Sequence, residues 1–229
     1  MPEPEPRVPL TRDRVLHAAV ALADNQGLGS VTMRRLAEAV GAEAMSLYYH
    51  VANKEDVLDG LTTVIAREIN DTVDKLDLPA HGANWKNAVR HRILSAREVL
   101  LRHPWAPSVF ETRTTTSPEV LKYYDGLLAL MRAGGFSYDL AHHALHALGS
   151  RALGFTQELF DPSTGPTTPE ETAAILANLA DNLPHLAAMM ADIVHNDPTS
   201  TLGWCDDKAE FEFGLDLILN GLDGLRDSF

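Results

Sequence analysis

VTMRRLAEAVGAEAMSLYYHVANKEDVL, residues 31–58, is the stretch on which the reading of this chain turns. Thr32 stands where a helix N-cap is wanted, because its hydroxyl can take up a backbone N–H that the first turn leaves unpaired. Met33, Leu36, Ala37 and Val40 then recur at helical spacing, and Gly41 supplies a flexible turn. A third short helix follows over AEAMSLYYHV, residues 42–51, and Asn53 is placed to cap the next helix, KEDVLDGLTTVIAREIND. Upstream, TRDRVLHAAVALADNQGLGS predicts a support helix with Val15, Ala18, Ala19 and Leu22 inward and a stop at Gly27. Helix, short helix, glycine turn, short helix is the order of a helix-turn-helix unit with its support.

The third helix carries a surface that asks for a partner. With Leu47 set inward, Val51 falls about 40° away on the same side, where both can pack on Leu36 and Val40. Met45, Ser46, Tyr48 and Tyr49 then take the opposite half, and His50 lies at its edge. That half is small, polar or aromatic and lacks a carboxylate, although the chain has 32 Asp and Glu. Carboxylates repel phosphates, so their absence suits a helix that enters the major groove of DNA. Tyr48, His50 and Lys54 can reach phosphate oxygens at the groove edges. Ala44, Met45 and Ser46, at the helix start, can touch base edges and thymine methyls. Tyr49 reads either as a further contact or as a packing residue.

Net charge is −13, which taken whole argues against nucleic acid. Its distribution does not. Residues 1–54 hold six basic and six acidic groups, so the whole excess lies behind them. The 45% hydrophobic content is enough to build a core across 229 residues. A lone Cys205 precludes an intrachain disulfide. MPEPEPRVPL has neither the basic nor the apolar region of a signal peptide, and residues 1–9 read as a disordered tail. No apolar run approaches a membrane span of about 18 residues. The expectation is a cytoplasmic protein without a membrane partner. Gly-rich phosphate loops, GxSxG, HExxH and CxxC are missing, so no enzyme class is indicated.

Behind residue 85 the pattern stays helical, with breaks expected at His103–Trp105, Thr114–Pro118, Ala133–Gly135, 161–169 and 196–203. Two helices have more apolar surface than one face can hold. Ala141, Leu145, Leu148, Ala152, Phe155 and Leu159 form one stripe, with Ala144, Ala147, Gly149 and Gly154 off it. Phe211, Leu215, Ile218, Leu222 and Leu225 form another, with Phe213, Leu217 and Gly221 off it. A second apolar face calls for a second copy, and a homodimer through a four-helix bundle answers it. Burial of both faces within one subunit is the alternative.

The segment quoted above resembles the DNA-binding domain of TetR-family transcriptional regulators from about Arg12 to Leu61, LYYHVANKEDVL being its most specific part. VLLRHPWAPSVF, LMRAGGFSYD and ALGFTQEL are similar to the ligand-binding domain of the tetracycline-repressor branch. The resemblance implies an all-α bacterial homodimer, with residues 10–65 binding a palindromic operator in double-stranded DNA and residues 66–229 binding a small-molecule effector and dimerising. It gives Thr32 the role of a phosphate-contacting cap and Arg34 that of a base contact, with Arg35 left open. Tyr48, His50 and Lys54 match the family's phosphate clamps. Ala44 replaces a glutamine that reads adenine in the tetracycline repressor itself, so a different operator is expected. Phe110 stands where that repressor has a magnesium-binding histidine, while Glu158 matches a carboxylate that helps to hold the ion. A less polar effector is therefore expected, no cofactor is implied, and the pocket is assigned to Phe110, Tyr124, Leu127, His142 and Glu158. The competing reading is a helical metal-binding or small-molecule carrier protein using His142 and His146, which are four residues apart on one helix.

Overall fold

The computed structural model describes residues 9–75, 84–114, 116–153, 168–192 and 207–226. Among these the secondary structure is helical, with no strand. The chain divides into two compact units, residues 1–154 with 217–229, and residues 155–216.

The first unit opens with α1 (Arg12–Gln26), started by Thr11 Oγ1 accepting from the Arg14 N–H and stopped at Gly27. A 3₁₀ turn, Leu28–Ser30, leads to α2 (Met33–Val40). Thr32 caps α2 as expected, its hydroxyl oxygen accepting from the Arg35 N–H at 3.3 Å. Gly41 ends it with φ 66°, a left-handed conformation that disfavours a β-carbon. α3 (Ala44–Leu47) is shorter than its sequence suggests. From Tyr48 to His50 the backbone tightens to i→i+3 bonds, His50 N–H donating to Leu47 O at 2.8 Å. Those turns advance by about 120° per residue rather than 100°, and Val51 still returns to the core at 1% exposure. Asn53 caps α4 (Lys54–Val73), its side-chain oxygen accepting from the Asp56 N–H at 2.9 Å.

Val15, Leu16 and Ala19 of α1, Leu36 and Val40 of α2, Leu47, Val51, and Val57, Leu61 and Ile65 of α4 close into one core. Gly60 permits the tightest approach there, since a β-carbon on it would lie 2.3 Å from Leu16 Cδ2. Polar ties finish the assembly. Arg12 spans Asp56 with two bonds, 2.9 and 2.6 Å, and also donates to His50 O. Arg14 donates to Val40 O at 2.9 Å.

Next in the unit come α5 (Trp85–Arg102), α6 (Ala106–Thr112), α7 (Pro118–Ala133) and α8 (Tyr138–Leu153), the helices ending after Arg102, Thr112 and Ala133 close to the expected breaks. α4 is the hub, packing on α1, α5, α6 and α7. At the junction of the front and rear helices, His103 is buried between two carboxylates, Asp24 of α1 at 2.8 Å and Glu68 of α4 at 3.2 Å. Trp105 Nε1–H also donates to Asp24, at 2.7 Å.

In the second unit α9 (Pro169–Asn182) packs on α10 (Pro184–Asp192). The sequence reading missed the break between them, where Pro184 cannot continue a helix through its missing N–H. α11 (Asp207–Leu225) passes from the second unit into the first. Its buried stripe is Phe211, Leu215, Leu219 and Leu222, so Leu219 takes the place expected for Ile218, and Leu225 is exposed. On α8 the buried residues are Leu140, Ala141, Ala144 and Leu148, with Leu145 and Ala152 half-buried. Phe155 and Leu159 lie outside the described residues. No helix of the described residues is long and apolar enough to cross a membrane.

Candidate nucleic-acid interface and effector cavity

Two features of the first unit stand out, one on its surface and one inside. The surface feature is α3 and the turn after it. Leu47 and Val51 face the core, which drives the intervening and flanking side chains outward. Met45 is 72% exposed, Tyr48 47% and Tyr49 88%. Tyr49 is thus no packing residue. Ala44 is exposed, Ser46 and His50 are half-buried, and Lys54, at the first position of α4, is exposed and bound to no carboxylate among the described residues. The neighbouring backbone is rigidly held: Asp56 accepts from Arg12 and from the Ala52 N–H at 2.8 Å. The hydrogen bond from Arg12 keeps the Asp56 carboxyl below the usual carboxylate range.

Chemically this surface offers two phenol hydroxyls, an imidazole, an ammonium and a protruding thioether, with no anion between Ala44 and Lys54. Thr32 lies nearby in sequence with its hydroxyl oxygen spent on the cap, leaving its proton free to meet a phosphate oxygen. Arg34 is exposed but tied to Glu38 one turn on, at 2.9 Å. A contact from Arg34 to a base would have to replace that exposed pair, which is worth only about 0.5 kcal/mol. Arg35 donates to the Gln26 side chain.

The interior feature is a cavity of about 70 Å³, on the order of five waters in size. α4 lines it with Ala66 and Ile69, α5 with Ile93, Ala96 and Leu100, α6 with Phe110, and α7 with Val120, Tyr123, Tyr124 and Leu127. α8 contributes Leu145, Leu148, Gly149, Ala152 and Leu153. Of the residues assigned from sequence, Phe110, Tyr124 and Leu127 come together on this wall. His142 does not: it sits a turn ahead of Leu145 and is exposed. Glu158 lies outside the described residues. The α4, α5 and α8 walls were missed because their aliphatic residues at helical spacing look like any core face. Among the described lining residues the polar groups are the two tyrosines, and burial pushes the Tyr123 hydroxyl to a higher pKa.

The His142 and His146 rings stand 4.7 Å apart on the outside of α8. Among the described residues no group of three or more His, Cys, Asp or Glu is placed to hold a metal ion.

Comparison with known proteins converges on one family. Residues 15–61 match the family model described as bacterial regulatory proteins, tetR family, and residues 78–225 match tetracyclin repressor-like, C-terminal domain. The tetracycline repressor protein class D of Escherichia coli is 30% identical over 220 residues, covering 93% of this chain and 89% of that one. An HTH-type transcriptional regulator of Saccharopolyspora erythraea is 29% identical over 216 residues, covering 93% and 84%. Among solved structures, that of a possible TetR family transcriptional regulator from Streptomyces coelicolor A3(2) superposes with a TM-score of 0.71 at 30% identity, covering 93% of this chain and 99% of that one. These relatives are regulators, not enzymes, and they do not favour the metal-carrier reading. With an exposed, anion-free α3 in front, an apolar cavity behind it and both family models matched, the chain belongs to the tetR family of bacterial regulatory proteins.

Proposed function

We propose that the protein is a ligand-responsive repressor that occupies a palindromic operator as a homodimer and leaves it when a small molecule enters the α4–α8 cavity. The observation that carries this reading is the course of α4. Its first residue, Lys54, follows the exposed tyrosines closely in sequence, while Ala66 and Ile69 farther along form part of the cavity wall. Twenty residues of helix make a rod of about 30 Å, and movement of one end is felt at the other. A division between DNA-binding residues 10–65 and effector-binding residues 66–229 therefore falls inside a shared helix.

In this reading Tyr48, Tyr49, His50, Lys54 and Thr32 hold phosphates while Ala44, Met45 and Ser46 face bases, with Arg34 released from Glu38 to join them. Dimerisation uses the outer faces of α8 and α11. Leu217 is 57% exposed, Phe213 and Leu225 are exposed as well, and Gly221 and Gly224 leave open space beside them. A bundle of two α8 and two α11 helices would cover that surface. The two α3 helices would then lie roughly 34–36 Å apart, one turn of DNA. An effector must prefer the released conformation by about 5 kcal/mol to empty the operator. Working on DNA places the protein in the cytoplasm.

Binding to the DNA upstream of its own gene, followed by fluorescence anisotropy at several salt concentrations, tests the proposal. Wild-type protein is expected to bind in the nanomolar range. Lys54→Ala should weaken every site alike and lower the slope of log K against log salt by about 1. Tyr48→Ala should weaken binding about tenfold. Wild-type behaviour of both variants would remove α3 from the interface.

A further inference from the structure

The described cavity wall carries no charge, but Arg92, which is not itself a lining residue, stands behind Tyr123 and forms no ion pair among the described residues. Arg92, one residue before the lining Ile93 on α5, lays its guanidinium over the ring of Tyr123, 4.9 Å from the ring centre. Tyr123 itself lines the cavity. The guanidinium donates to a main-chain acceptor, Tyr123 O at 3.3 Å, and its buried Nε–H meets no acceptor among the described residues. Asp74, the carboxylate whose charge Arg92 feels, is already bound by Lys122 Nζ at 2.9 Å. Burial accordingly holds the Arg92 pKa below the ordinary arginine value. The arginine also has a place made for it. Gly126 of α7 lies beneath the guanidinium, and a β-carbon there would come within 2.4 Å of Nη2 and 2.6 Å of Cζ.

A partly buried cation with a weak set of partners has lost some of its hydration, and an anion that reaches it recovers part of that loss. Taking the cavity as the effector site, a reading on which this inference rests, we propose that the effector is an apolar carboxylic acid. Its hydrocarbon or aromatic body fills the space between Ile69, Ala96, Phe110 and Leu148, and its carboxylate passes Tyr123 to meet the Arg92 guanidinium. The wall selects the body because a polar one would lose hydration with only tyrosine hydroxyls to replace it. The planar fork of guanidinium N–H groups selects the head, since it matches a carboxylate bidentately. An uncharged molecule of the same shape would leave Arg92 as it is, and a metal chelate would find no imidazole or carboxylate among the described residues of the wall.

Two probes with one ring system separate these cases: 2-naphthoate and 2-naphthamide, titrated calorimetrically into the full-length protein at pH 7 with EDTA present. The naphthoate is expected to bind about tenfold more tightly than the amide. Arg92→Met should bring it down to the amide's level, and Arg92→Lys, which keeps charge but not the fork, should retain part of the preference. Equal affinity in the wild-type protein overturns the inference, as does a preference that survives Arg92→Met, or failure of both probes to bind at about 1 mM. The wild-type comparison stands whether or not a variant folds. Ala96→Phe, which fills the cavity from α5, tells the two levels apart. If both probes bind Ala96→Phe as they bind wild type, the cavity is not the site. If Ala96→Phe excludes both while the wild type shows no preference for the acid, the cavity reading survives and the acid does not.

Discussion

The front of the first unit is solid and the rear is hollow. Between α1, α2, α3 and the first half of α4, residues such as Val15, Ala19, Leu47, Val57 and Leu61 are at or near zero exposure and form one closed contact set. Between the second half of α4 and α8 the same kinds of residue surround a void. Polar groups differ in the same sense. At the front they are paired within a few residues of the surface: Thr11, Thr32 and Asn53 cap, and Arg12 holds Asp56. At the rear several buried polar atoms, among them Asn70 Oδ1, Arg92 Nε and Arg113 Nε, lack acceptors or donors among the described residues. A packed interior transmits displacement, and an unfilled one can accept a guest. Reading DNA needs the first property and sensing a ligand needs the second.

The largest test of the contrast is one substitution made on both sides. Leu47→Ala should cost about 4 kcal/mol, since the side chain is fully enclosed. Leu127→Ala, at a wall already facing a void, should cost nearer 2 kcal/mol because fewer contacts are lost. Urea unfolding compares the two, and equal losses would break the distinction.

The join between the regions comes next. Arg113, just after α6, binds Glu55 in the first turn of α4 and lies 3.6 Å from Asp59. The bond to Glu55 lifts the Arg113 pKa above its ordinary value. Phe110 of the cavity wall is three residues earlier. Arg113→Met should loosen the first turn of α4 and speed amide hydrogen exchange there about fivefold, leaving α1 unchanged. Unchanged exchange would mean that the rear does not grip the front at this point.

The smallest effect is the pH dependence of the front's own clasp. Asp56 has a lowered pKa when folded, so the stability it contributes is present above roughly pH 4, its unfolded range, and is lost as pH falls through the folded value. Asp56→Asn should be less stable than wild type by under about 1 kcal/mol at pH 7. The gap should close on acidification, seen as converging urea midpoints.

How much of this was legible in sequence follows the same division. The caps at Thr32 and Asn53, the stop at Gly27 and the turn at Gly41 are local chemistry and were read correctly. So was the inward side of α3, because one helical turn relates Leu47 to Val51. The length of α3 was not legible, nor whether Tyr49, placed on the outward half, packs or stays free, since both depend on how the chain tightens to bring Val51 back. In the rear, Phe110, Tyr124 and Leu127 were reached through family resemblance together with apolar helix faces. Ile93, Ala96 and Leu148 were not, because a residue beside a void and a residue in a core have the same helical spacing. His142 stands outside that wall for a related reason: its position on α8 was known, but not the point along α8 at which the cavity begins.

By itself, then, the sequence determined the helical class, the helix-turn-helix order and the outward, anion-free surface of residues 44–50, because capping, periodicity and charge act over one or two turns. Only the tertiary structure decided where the interior stays open and which charge, that of Arg92, stands near it with no ion pair among the described residues. Those properties arise from the distances between helices far apart in the chain, and no local pattern encodes a distance of that kind.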